Sequence, residues 1–184
     1  MGEYVARNLE LVYQTFGATH EEVHRICDEV VKNEERIDRY QYAITQFLLT
    51  LSTQSLTMRD ASKVGNYVGL AHNLEKISDF AERIAQSLDK MARLHLTLTE
   101  PAVESLRVLL HENVAYFNDS MGLFREDEFH PAYAEKAFTR SLRLKKMVKD
   151  AKSEHFDRLR EKACAMPVAI HYIDLLSNLD SMKS

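Results

Sequence analysis

The chain has 184 residues, with 24 Lys and Arg against 28 Asp and Glu, a net charge of −4 and a pI near 6.1. That balance excludes a general electrostatic pull toward nucleic acid. Only 5 Gly and 3 Pro leave too little turn material for a β protein, so an all-α fold with room for a real core is expected.

Apolar residues spaced three and four apart predict six helices. The first covers about Glu3 to Phe16, with Gly17 as a break. Thr19 and Glu22 form a capping-box pair for the second, which runs to about Ser55. The third starts at Asp60 and reaches about Leu94; Thr97 to Pro101 is a turn, with Pro101 suited to the first turn of the fourth helix. That helix runs to about Arg125, and Glu126 to Pro131 forms a loop. The fifth extends from about Ala132 to Cys164, and Met166-Pro167 opens the sixth. The expected architecture is two tandem three-helix bundles, residues 1–97 and 98–184.

The halves read as copies. Tyr67-Val68-Gly69-Leu70-Ala71-His72-Asn73-Leu74-Glu75-Lys76-Ile77 matches Tyr172-Ile173-Asp174-Leu175-Leu176-Ser177-Asn178-Leu179-Asp180-Ser181-Met182 without a gap, 105 residues on. The copies differ in their acids: Glu75 is followed one turn later by Asp79, whereas Asp180 is followed by Ser184. The first copy then continues through Ile84, Leu88 and Met91, while the second stops in mid-stripe without a helix-stop signal. The second bundle is therefore expected to be truncated at its last helix, and the chain to be a fragment.

No apolar run approaches the roughly 18 residues needed to cross a bilayer. Residues Met1 to Ala6 carry no secretory signal, and Ala6 stands where a myristoylation pattern requires Ser or Thr. Cys27 and Cys164 sit far apart amid helical periodicity, which suits buried thiols in a reducing compartment. The expected location is the cytoplasm.

In the second helix the apolar stripe runs through Val23, Cys27, Val30, Ile37, Ile44, Leu48 and Leu51. Glu34 falls on that stripe, with Asp38 one turn further. A carboxylate aimed into a bundle costs several kcal/mol unless paired, protonated or bound to a cation. In the third helix Glu75, Asp79 and Glu82 form a ladder beside Leu74, Ile77, Ala81 and Ile84, and the small residues Ala71, Ser78, Ala81 and Ala85 admit a close neighbour. Two adjacent helices, each presenting acid-x-x-x-acid to their seam, gather four carboxylates. Such an oxygen-rich site suits iron, manganese or magnesium, and admits zinc.

The segments Glu34-Glu35-Arg36-Ile37-Asp38 and Asn73-Leu74-Glu75-Lys76-Ile77-Ser78-Asp79-Phe80-Ala81-Glu82-Arg83-Ile84 resemble the two acid motifs of PhoU-like domains. The resemblance extends over nearly the whole chain as a duplicated three-helix bundle. It implies a non-catalytic regulator of phosphate uptake, or the cytoplasmic tail of a bacterial sodium/phosphate cotransporter, on the cytoplasmic side of the inner membrane. It also implies a metal held by acid-x-x-x-Asp motifs: Glu34, Asp38, Glu75 and Asp79. The implied partner is the membrane domain of a phosphate transporter or a phosphate-signalling protein, with neither nucleic acid nor a small-molecule substrate. Phe80 and Ser78 depart from the histidine and glycine usual in the family. In the second copy Lys145, Lys146 and Lys149 surround Asp150, so one metal site at most is expected. This asymmetry favours the cotransporter domain over the stand-alone regulator.

Other signals compete. His20-Glu21-Glu22-Val23-His24 satisfies the zinc-protease pattern H-E-x-x-H, the alternative of another class, but no third ligand or substrate-binding sheet accompanies it. Glu21 with His24 is one Glu-x-x-His of the di-iron type, and Asp127 with His130 is the nearest second. The fifth helix is basic through Arg140, Arg143, Lys145, Lys146, Lys149 and Lys152. Its bland reading is a solvated face, and its functional one a contact with an acidic partner or the inner membrane surface. Half-duplicated bundles often leave an apolar face uncovered, which points to a homodimer. No Gly-rich phosphate loop, nucleophile elbow or CxxC is present.

Overall fold

In the computed structural model, which describes residues 1–125, 131–161 and 164–183, the helical periodicity becomes six α-helices in the expected order. They are α1 (Gly2–Gln14), α2 (His20–Ser52), α3 (Met58–Arg93), α4 (Glu100–Arg125), α5 (Pro131–Arg160) and α6 (Met166–Ser181). No strand occurs among the described residues.

Local chemistry sets the ends. The Thr15 hydroxyl donates to Val12 O at 2.6 Å just beyond α1, and Gly17 turns the chain with φ of 106°, a conformation open mainly to glycine. Thr19 and Glu22 close the capping box: Thr19 N–H donates to Glu22 Oε2 at 2.8 Å, and Glu22 N–H to Thr19 Oγ1 at 3.4 Å. α3 starts two residues before the expected Asp60, because Thr57 accepts from Asp60 N at 3.2 Å and acts as its cap. α5 stops at Arg160 rather than Cys164. α6 opens at Met166 with Pro167 in its first turn. The expected loop residues 126–130, with Asp127 and His130, and Ser184 opposite Asp180, lie outside the described residues.

In each half all three helices touch, and the halves meet where α1 packs on α4 and α3 on α6. One continuous buried cluster joins Val5, Leu9 and Val12 of α1 to Leu106 and Leu110 of α4 and to Tyr172, Leu175 and Leu179 of α6. At the α1–α4 contact the end of the Met121 side chain rests over Gly2, where a Cβ would lie 3.2 Å from the Met121 methyl. The 105-residue offset extends to these helices. Val5 and Leu110, Asn8 and Asn113, and Val12 and Phe117 are equivalent, and all are buried.

Asn8 lies on the apolar stripe of α1 and is fully buried. Its amide donates to Ser78 Oγ at 3.1 Å and to Val30 O at 3.4 Å, and its Oδ1 accepts from Asn33 Nδ2 at 3.0 Å. One side chain thus ties α1 to both α2 and α3. Ser78, expected only as a small residue admitting a neighbour, supplies a buried acceptor as well. Asn113 makes no such link: its Nδ2 donates to Leu109 O of its own helix at 3.0 Å, and its Oδ1 has no partner.

Replacing Asn8 with Leu should strand the Asn33 amide and the Ser78 hydroxyl, at a cost of about 1–3 kcal/mol. Urea unfolding would measure it. Adding Ser78→Ala should cost less in the Asn8→Leu background than in the parent; strict additivity would dismiss the network.

Candidate metal centre

The buried asparagine network stands directly beside the acids. Asn33 precedes Glu34 and Ser78 precedes Asp79, so fixing the two polar side chains against α1 also fixes the next residue's direction on α2 and on α3. Carboxylate oxygens of Glu34, Asp38 and Asp79 lie within 4.8 Å of one another. Glu34 is the most enclosed of the three, Asp79 is half-buried and Asp38 is exposed.

Glu75 is not in that close group. It sits one turn before Asp79 on α3, with 23% of its side chain exposed, and meets His72 Nδ1 at 3.5 Å. Its carboxyl is still held above the ordinary range, by burial first and then by the charge of Asp79. Glu82 is raised in the same way and accepts from Gln86 at 2.9 Å. The counter-charge nearest the cluster is Arg83, 3.6 Å from Asp79, with its guanidinium 5.3 Å from the Phe80 ring centroid. Phe80 therefore seats the cation that faces Asp79. Even so, burial keeps the Asp79 carboxyl above its usual value.

The electrostatic cost is plainest at Glu34. Burial, then the charge of Asp38 and a hydrogen bond to it, then the charges of Glu82 and Asp79, push this carboxyl up to about 8. Without another cation, a proton occupies the cluster near neutral pH. A hard metal ion would replace that proton and cancel the repulsion, so an all-oxygen donor set of this kind fits the iron, manganese, magnesium or zinc implied by the sequence.

The histidines of H-E-x-x-H are engaged elsewhere. The His20 ring lies 5.6 Å from that of His95. His24 Nδ1 lies 3.1 Å from Asp89 Oδ1 and 3.0 Å from Arg93 Nη2. Among the described residues the one group of three convergent metal-capable side chains is Glu34, Asp38 and Asp79. The basic face of α5 divides: Arg140 pairs with Glu112 and Asp119, each at 2.9 Å, and Arg143 with Glu112 at 3.3 Å. Lys145, Lys146 and Lys149 are exposed.

Sequence reading missed Asn8 and Asn33 as supports and Arg83 as the counter-charge. A signal for the first existed, since Asn8 interrupts an apolar stripe as Glu34 does.

The PhoU domain family model matches residues 1–88, a stretch that contains all four acids. Among solved structures, PhoU from Pseudomonas aeruginosa matches with a TM-score of 0.88 at 14% identity, over 100% of this chain and 85% of that one. At that identity the likeness speaks for the fold. No curated protein matches the chain.

Glu34 binds its proton more tightly in the folded state (about 8) than at its ordinary value of 4.5. Its contribution to stability is complete below the lower value and lost as pH rises through the higher one. Chelator-treated protein should therefore lose unfolding free energy between about pH 5 and 8. Glu34→Gln should remove most of that slope, and an unaltered slope in the variant would refute the assignment.

Proposed function

We propose that the chain is a PhoU-type, non-catalytic regulatory domain of phosphate homeostasis, on the cytoplasmic side of the inner membrane as part of a sodium/phosphate cotransporter. The observation that carries this reading is a coincidence. The stretch matched by the PhoU domain model, residues 1–88, is also where Glu34, Asp38 and Asp79 converge. In this reading the three hold one iron, zinc, manganese or magnesium ion, with Glu75 on the adjoining turn. The ion supplies charge neutralisation across the α2–α3 seam and no bond-making step. Its structural effect is to clamp two helices that otherwise repel, and the stiffened bundle then acts on the membrane domain by contact.

A stand-alone PhoU-type regulator is the second reading. It draws support from the fold likeness running over 85% of the P. aeruginosa PhoU chain. Both readings share the regulatory role and differ in attachment. An antibody to residues 1–184 should find the native protein in salt-washed membranes under the first and in the supernatant under the second.

Two experiments test the proposal. Excess Mn(II), Fe(II) or Zn(II) should raise the Tm of the purified chain, by the equivalent of about 2.7 kcal/mol at a hundredfold excess over Kd. A Glu34→Gln/Asp79→Asn variant should not respond; an equal response in both would remove the metal from this site. Deleting the coding segment should change the rate of labelled-phosphate uptake in cells shifted between phosphate-rich and phosphate-poor medium. Identical uptake in both media would overturn the regulatory reading.

A further inference from the structure

α3 and α6 meet along the seam between the halves, and a groove of about 400 Å³ runs between them, its described lining polar throughout. α3 contributes Arg83, Ser87 and Lys90, which fall on one helical face; α6 contributes His171, Asp174 and Asn178, which also share a face. The groove is rich in unused donors. Arg83 lies 3.6 Å from Asp79, and its N–H groups make no hydrogen bond among the described residues. Lys90 is exposed and pairs with no carboxylate among them. His171 Nδ1 lies 3.3 Å from Ser87 Oγ; with that hydroxyl as donor, the neutral ring carries its proton on Nε2. In a chain of net charge −4, two cations beside imidazole, hydroxyl and amide groups make a local preference for an anion.

Asp174 is the one acid of the described lining. It forms no ion pair with Arg83 or Lys90, although all three line the same space, so a gap separates the acceptor from the donors. An ionised carboxylate can only accept hydrogen bonds. It repels a fully deprotonated oxyanion and favours one that still carries an O–H. Orthophosphate keeps a P–OH at neutral pH, whereas sulfate has none. A phosphate monoester, with its second pKa at about 6, has lost most of its own.

We propose that the α3–α6 groove is a binding site for inorganic phosphate. Arg83 and Lys90 balance its charge, His171 and Asn178 donate to its remaining oxygens, and Asp174 accepts from the P–OH and rejects sulfate. No bond is made or broken, and the bound ion joins one helix of each half. The site is distinct from the acid cluster. Arg83 is the residue that faces both, and phosphate binding in the groove requires neither a metal nor attachment to a membrane.

The test is calorimetric titration of the intact chain with sodium phosphate, sodium sulfate and glycerol phosphate, at fixed ionic strength and with a chelator present to exclude metal-bound phosphate. Saturable binding of phosphate is expected, about tenfold or more tighter than that of either competitor. Lys90→Gln should weaken it about tenfold. Asp174→Asn should bring phosphate and sulfate to within about threefold of each other. Both positions are exposed, so neither change disturbs the core. Equal binding of phosphate and sulfate by the parent, an unaltered affinity in Lys90→Gln, or sulfate rejection that survives Asp174→Asn would overturn the proposal. So would millimolar phosphate that gives neither heat nor a change in its phosphorus NMR line width. Tighter binding of the monoester would overturn it as well, and would assign the groove to a phosphorylated partner.

Discussion

An amide surrounded by leucine and valine side chains must find hydrogen-bond partners, and the partners that Asn8 finds decide how three helices stand against one another. Ser78 Oγ, Val30 O and the Asn33 amide each bond to it, so sliding α1 by one turn would leave several buried polar groups unmatched. Apolar packing alone tolerates such slips more readily, because leucine and valine are interchangeable at many positions. The register fixed in this way is what brings an acid of α3 against two acids of α2. Where the second copy keeps the asparagine but not its partners, Asn113 bonds to its own helix, and no group of three metal-capable side chains converges there among the described residues.

The acid cluster is costly by itself. Glu34, Asp38 and Asp79 converge in a half-enclosed seam with Arg83 as their nearest cation, and that cation touches only Asp79. The raised carboxyls of Glu34, Glu75, Asp79 and Glu82 all report the same imbalance, with burial as the leading cause and mutual repulsion behind it. A fold that kept these acids for surface solubility would turn them outward, as Glu35 is turned. Held together, they favour whatever positive charge arrives, whether proton or metal. The α4–α5 seam shows the alternative solution: two arginines neutralise Glu112 and Asp119 directly and leave no demand for an ion.

The periodicity of three and four contained most of the fold. Six helices, their order and the Thr19–Glu22 cap were all legible, because amphipathic helices must repeat their apolar face and caps use few residue types. The start of α3 was not, since Met58 is 92% exposed and contributes no stripe; only the Thr57 cap marks it. Glu34 stood out because a charge on an apolar stripe has few explanations. That Asp79 rather than Glu75 joins it depends on how α2 and α3 cross, which a single helix's pattern does not encode. The two short segments that resemble PhoU-like motifs lie within the stretch that the family model matches.

The shared cluster that links α1 with α4 and α3 with α6 gives the duplication an energetic meaning. Neither copy has a finished surface where it meets the other, so a chain divided at the connector would expose Leu9, Leu106 and Leu175 to water together. The repeat is a unit of ancestry and not of folding: the halves should melt in a single cooperative transition, and the second copy, though poor in acids, supplies part of the scaffold that keeps the first copy's carboxylates in place.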